Sequence, residues 1–198
     1  MTGRLIAVVG PSGVGKDSVM QAIAARAPIG LVRRVITRAP DPDGESHQPV
    51  SGDAFDTLRD AGAFCLHWEA HGLRYGIPLA TLHDVQGGAD RMANLSRGVL
   101  AEAQRVFPAL TVLHLTASPE TLAARLASRG REDAAMIATR LARAEFALPA
   151  GIPALCVAND GPLEQTAARA LALLHGGGDG SDQTARTGHP MNREPGLT

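Results

Sequence analysis

Residues 10–18 read Gly-Pro-Ser-Gly-Val-Gly-Lys-Asp-Ser and follow directly on the apolar run Leu5–Val9. Gly10, Pro11, Ser12, Gly13, Val14, Gly15 and Lys16 have the Gly-x-x-x-x-Gly-Lys spacing of a phosphate-binding loop. Phosphate needs many donors at close range. Glycines let the backbone approach, and successive N–H groups converge on the anion. The start of a helix adds free N–H groups and a favourable dipole. Lys16 would then reach the β- and γ-phosphates of a nucleotide. The position after Lys16, commonly Ser or Thr, holds Asp17, and Ser18 follows it. A carboxylate is a good hard-oxygen ligand for Mg²⁺, so Asp17 and Ser18 are the candidate metal residues. Asp17 reads equally as an acidic residue in a first helical turn. Either way the departure argues against an ordinary GTPase.

Three later stretches carry polar groups suited to a phosphorylated substrate. Thr37-Arg38-Ala39-Pro40 follows a strand-like run, and Gly44-Glu45-Ser46-His47 comes soon after. Arg38 at a strand end can fork onto a phosphate. Trp68-Glu69-Ala70-His71-Gly72-Leu73-Arg74-Tyr75-Gly76-Ile77-Pro78 holds the only Trp and the only Tyr of the chain. Tyr75 is expected in a loop, with Glu69 and His71 as further hydrogen-bonding groups. His67 and His71 do not form a His-Glu-x-x-His motif, and their segment reads as extended, which argues against zinc. Arg125, Arg129, Arg131, Arg140 and Arg143 surround a polar break. Phosphoryl transfer needs cations around the migrating group, and a lid closing over it would supply them.

Alternating strand-like and helix-like segments must position these residues. Strands are expected at 5–9, 32–37, 91–95, 110–116 and 154–158, with extended segments at 64–68 and 73–75. Helices are expected at 15–27, 53–61, 79–86, 97–107, 119–129, 134–148 and 162–175. Ser118 caps the helix that opens with Pro119. Such alternation predicts an α/β fold, a mostly parallel sheet covered by helices on both faces. From Gly176 the chain turns polar and glycine-rich, and residues 176–198 read as a disordered tail.

At 198 residues the chain fits one such domain. Its formal net charge of −1 gives no broad basic surface, so neither nucleic acid nor membrane is an expected partner. No apolar run reaches transmembrane length, and the N-terminus does not read as a signal peptide. Cys65 and Cys156 lack metal-type spacing and read as reduced, buried thiols of a cytoplasmic protein.

Taken in chain order, the motifs resemble the guanylate kinase-like P-loop kinases over about residues 4–175. The resemblance rests on Gly10–Lys16, Thr37-Arg38-Ala39-Pro40, Gly44-Glu45, His71-Gly72-x-x-Tyr75-Gly76-x-Pro78, Arg129-Gly130, Arg140-Leu141 and Val157-Ala158-Asn159-Asp160. It implies a three-layer α/β/α P-loop NTPase fold over 1–175. An acceptor-binding insertion would lie at about 34–80 and a lid at about 125–143. ATP and Mg²⁺ are the implied co-substrate and metal, with Asn159 on the nucleotide side. Lid arginines 129, 131, 140 and 143 would surround the transferred group. Arg38 and Tyr75 would hold acceptor phosphate, Glu45 and His47 would belong to the substrate-binding residues, and a homodimer is compatible. The acidic groups with which guanylate kinases read guanine fall, by alignment, at Leu66 and Ser96, and a second phosphate-holding arginine falls at Asp41. The pattern is most similar to a branch of bacterial phosphonate metabolism. In that branch ATP phosphorylates ribose 1,5-bisphosphate to 5-phosphoribosyl 1-diphosphate, an acceptor with no base. Glu69, His71, Asn94, Ser96 and Arg97 would line its sugar side. A nucleoside monophosphate kinase and a non-catalytic binding module of the same fold are the alternatives.

Overall fold

The computed structural model describes residues 2–39, 45–128 and 148–176. The lid arginines Arg129, Arg131, Arg140 and Arg143, most of the helix expected at 134–148, and the tail beyond Gly176 lie outside these residues.

The first strand explains the architecture. β1 (Leu5–Val9) is fully buried at every position. Successive side chains of a strand point to opposite faces, so an unbroken apolar run needs cover on both. Ile6 and Val8 pack with residues of α1 (Lys16–Ala24), α5 (Pro119–Ser128) and α6 (Leu163–Gly176), including Ile23, Leu122 and Ala170. Leu5, Ala7 and Val9 pack on the other side. There they meet Val85 of α3 (Leu79–Gln86), and Leu100 and Ala103 of α4 (Leu100–Val106).

Around β1 runs a five-stranded sheet in which every strand pair is parallel. Its order is β2 (Gly30–Leu31), β7 (Arg91–Asn94), β1, β8 (Leu110–Thr116), β9 (Ala154–Ala158). β1 therefore lies between two strands reached only after crossovers. The crevice beyond the strand C-termini at such a switch point is where open α/β sheets bind ligands.

A second sheet has the order β4 (Gln48–Pro49), β3 (Val35–Ile36), β6 (Leu73–Pro78), β5 (Phe64–Ala70). Leu66 and Ile77 from it enter the same apolar cluster as Leu5 and Val9. The smaller sheet is thus packed against the core of the larger. Helix α2 (Gly52–Asp60) begins at Ser51, whose Oγ accepts from the Ala54 amide at 3.2 Å.

The single strand expected at 32–37 is instead two. Gly30–Leu31 pairs with β7 and Val35–Ile36 pairs with β6, so the chain changes sheets between them. The helix expected at 97–107 opens with a 3₁₀ turn at Arg97–Val99 before α4. No helix among the described residues is long and apolar enough to cross a membrane.

Candidate active site

The loop between β1 and α1 has the backbone its glycines allow. Gly10, Gly13 and Gly15 have φ of 153°, 84° and 87°. A Cβ on Gly10 would lie 2.4 Å from the Leu115 carbonyl oxygen, and one on Gly15 would lie 2.8 Å from Asn159 Nδ2. Both positions exclude any side chain, by backbone conformation and by space. The Lys16 ammonium donates to the carbonyls of Gly10 and Pro11, each at 3.0 Å, and so lies across the loop.

Asn159, expected on the nucleotide side, packs against the phosphate loop. It is 4% exposed, and its side-chain amide is occupied by protein. Nδ2 donates to Val14 O at 2.7 Å, and Oδ1 accepts from Thr166 Oγ1 at 2.8 Å. Its backbone N–H donates to Thr116 O at 2.7 Å. Arg125 Nη1 reaches the same Val14 carbonyl at 3.3 Å. Asn159 is therefore a strut that ties the phosphate loop to β9 and α6.

Asp17 turns inward while Ser18 is exposed. Burial, and then the neighbouring Glu45 carboxylate, hold the Asp17 carboxyl above its ordinary range. Lys16, Arg34 and a hydrogen bond from Asn94 pull the other way. Glu45 is paired with Arg34, which leaves Asp17 as the inward hard-oxygen donor beside Lys16. That observation favours Asp17 over Ser18 as the metal-facing residue.

Glu45, expected to face substrate, is held by protein groups. Arg34 Nε donates to its Oε1 at 2.7 Å, and Arg34 Nη2 pairs with Oε2. Asn94 Nδ2 approaches Oε2 at 3.4 Å. His47, also expected to face substrate, is 5% exposed. Its Nδ1 lies 2.9 Å from Glu45 O and its Nε2 lies 3.1 Å from Arg38 O, so the ring closes the loop on itself. The buried Nε of Arg38 has no hydrogen-bond partner among the described residues. Its Nη2 is 3.4 Å from His47 Nδ1. A buried guanidinium donor without an acceptor is suited to an incoming phosphate.

Tyr75 lies in β6, not in a loop, and is 9% exposed. Its ring stacks on Trp68 with centroids 5.2 Å apart and planes 7° from parallel. The Arg34 guanidinium carbon sits 5.0 Å from the Tyr75 centroid and 5.8 Å from that of Trp68. Strand alternation separates Glu69 from this group. Trp68 pairs with Tyr75 in the ladder and Glu69 with Arg74, so Glu69 points to the opposite face. Glu69 is exposed there, 3.6 Å from Arg74 Nε. His71 is exposed and has φ 54°; with Gly72 at φ 71° it forms the two-residue turn between β5 and β6. A pair of positive φ values is what a tight hairpin turn demands, so His71 shapes the turn.

Asn94 ends β7, and Ser96 and Arg97 follow at the C-terminal edge of the main sheet. Burial lowers the pKa of Arg97. His114 of β8 is lowered by burial and then by the Arg97 charge. Leu66 is 1% exposed inside the apolar cluster, so no acidic group stands at that place. Nothing in the sequence marks Arg34 as part of the site, and Trp68 stands out only as the single tryptophan of the Tyr75 stretch. Their signal is tertiary, because neither residue type nor spacing says that a charge will lie over two rings.

No protein-family model matches the chain. Among solved structures, guanylate kinase from Anaplasma phagocytophilum has a TM-score of 0.65 at 20% identity, covering 89% of this chain and 86% of its own. At that identity the likeness concerns the fold, which is a guanylate kinase-like P-loop α/β fold. Ribose 1,5-bisphosphate phosphokinase PhnN of Ruegeria sp. (strain TM1040) is 52% identical over 174 residues, 87% of this chain and 92% of that protein. The protein of the same name from Pseudomonas paraeruginosa (strain DSM 24068 / PA7) is 48% identical over 89% of this chain and 97% of its own. With a phosphate loop, an inward Asp17 and an apolar Leu66 in this fold, and with identity of that extent, the chain belongs to the ribose 1,5-bisphosphate phosphokinase family.

Proposed function

We propose that the protein transfers the γ-phosphoryl group of ATP to the 1-phosphate of ribose 1,5-bisphosphate, giving ADP and 5-phosphoribosyl 1-diphosphate. The observation that carries this reading is the extent of identity to relatives named for this acceptor. The apolar burial of Leu66 supports it, because the reaction asks for no base-reading carboxylate there.

The residues divide the work. The backbone N–H groups of the phosphate loop, Pro11 excepted, and the Lys16 ammonium hold the donor phosphates. Arg38, whose Nε has no hydrogen-bond partner among the described residues, takes an acceptor phosphate. Ser96 and Arg97, at the edge of the main sheet, face the sugar side. Asp17 would hold Mg²⁺ together with the donor phosphates, and the metal supplies charge neutralisation at the transferred group. An oxygen of the acceptor 1-phosphate forms the new bond to the γ-phosphorus. The bond from that phosphorus to the β–γ bridging oxygen breaks, and ADP leaves with the electron pair. The acceptor is already ionised, so no general base is required. Arg129, Arg131, Arg140 and Arg143 complete the charge around the transfer in this proposal. The proposed setting is the cytoplasm, in phosphonate breakdown, and a homodimer is the state to check by sedimentation.

ATP consumption measured beside ribose 1,5-bisphosphate, GMP, AMP and ribose 5-phosphate tests the reading. Ribose 1,5-bisphosphate should give the highest kcat/KM, and a higher value for GMP would overturn the proposal.

A further inference from the structure

The Arg34 side chain occupies an unusual place. It is 6% exposed, forks onto Glu45, and lies over the stacked rings of Trp68 and Tyr75. Glu45 in turn approaches Asn94, and Asn94 hydrogen-bonds Asp17 beside Lys16. The guanidinium is therefore linked through two side chains to Asp17, which follows Lys16 of the phosphate loop. Flat aromatic faces next to a phosphate site are natural platforms for a nucleobase, since base–aromatic stacking is favourable and tolerant of base identity. Here the platform is already covered. A guanidinium is planar and weakly hydrated, and it stacks on rings as a base would. Glu45 fixes its orientation through two bonds to one carboxylate.

We propose that Arg34, clamped by Glu45, is a specificity-determining residue that fills the place of a nucleobase, leaving the acceptor site open only to a phosphorylated sugar without a base. This rests on the proposed sugar-bisphosphate reading and adds to it the reason for rejecting a nucleotide. Rejection comes from a filled space as well as from missing hydrogen-bond partners. Building against the wrong ligand is a common route to selectivity.

Trp68 is the only tryptophan, so intrinsic fluorescence reports on this spot alone. Two variants test the idea, R34A and the double variant R34A/E45Q. The double variant removes the carboxylate charge that R34A strands beside Asp17. GMP is titrated into each protein, and Trp68 emission is followed. The wild-type signal should stay flat, and both variants should show saturable quenching. In parallel, the ratio of kcat/KM for GMP to that for ribose 1,5-bisphosphate should rise about tenfold or more in R34A/E45Q, the range expected when a blocking group is lost. R34K keeps the charge and loses the planar fork, and should fall between wild type and R34A. It also carries the test if R34A melts below assay temperature. No quenching in the variants, with both acceptors losing rate in proportion, would mean that Arg34 is only structural and would overturn the proposal. The wild-type arm separates the two claims. A wild-type protein inert toward ribose 1,5-bisphosphate sinks the proposed activity, whereas flat fluorescence in the variants sinks the Arg34 assignment alone.

Discussion

At the scale of single residues, Asp17 is where structure and chemistry conflict most. Its folded pKa lies above the ordinary value of 3.8, chiefly because of burial and secondly because of Glu45. The sign follows directly. The unfolded chain gives up this proton more readily, so the cost to the fold is absent below the ordinary carboxylate range. It grows as pH rises through the raised folded value and persists at neutrality. Asp17→Asn should therefore melt higher than wild type at pH 7, and the gap should close as the pH falls toward 3.8. The same change should raise the Mg²⁺ concentration needed for half-maximal rate. A melting temperature at pH 7 equal to or below that of wild type would remove the strained carboxylate from the account. An unchanged Mg²⁺ requirement would remove its part in metal binding.

At the scale of elements, the phosphate loop owes its shape to groups far away in sequence. Val14 O is held by Asn159, which is oriented by Thr166 of α6. Asn159→Asp would set a carboxylate oxygen against the Val14 carbonyl in place of a donor. A buried polar group left without its partner costs about 1–3 kcal/mol. If that loss falls on the loop conformation, KM for ATP should rise about tenfold or more by the same principle. Thr166→Val frees the amide to turn and should show a smaller rise in the same direction. Steady-state kinetics with ATP varied would decide. Unchanged ATP kinetics in both variants, with intact circular dichroism, would leave Asn159 without a role in the loop.

The β5–β6 hairpin gives a second lesson at this scale. By chain position Leu66 is an inviting place to install a guanine-reading glutamate. In the fold its side chain is buried among Leu5, Ile77, Val85 and Leu100. Leu66→Glu would bury an unpaired carboxyl there, and changes of that kind cost several kcal/mol. At this chain length each kcal/mol moves the melting point by about 2–4 °C. A drop of about 10 °C without any gain in GMP turnover is expected on that scale. A variant that melts like wild type would show that position 66 opens to the acceptor site.

At the scale of the whole molecule, the two sheets place the two cysteines in different environments. The sequence predicts two buried thiols, and the structure buries one in part and exposes the other. Cys65 is half-buried on β5, where its Sγ donates to Ile77 O and Pro78 O at 3.5 Å, and burial pushes its thiol up to about 11. Cys156 lies on β9, the last strand of the main sheet, and is exposed. Only the thiolate reacts. Titration of the native protein with a disulfide reagent at pH 8 should count one fast thiol, with the second appearing on denaturation. Two equally fast thiols would contradict the packing of the hairpin against the core.

The local features of this protein were determined by the sequence itself. A glycine-rich turn between a wholly apolar strand and a helix admits few conformations. The φ values of Gly10, Gly13 and Gly15 follow from that constraint. The run Leu5–Val9 likewise implied cover on both faces, because period-two side chains leave no polar side. What tertiary structure decided was which polar groups meet. His47 and Asn159 carry the same side chains wherever the chain puts them. Burial against backbone carbonyls turned both into clasps. Strand parity sent Glu69 away from Tyr75, and the hairpin turn took His71. Arg34 came to lie over Trp68 because residues 34 and 68 are joined only through the sheet between them, a pairing that spacing along the chain does not encode.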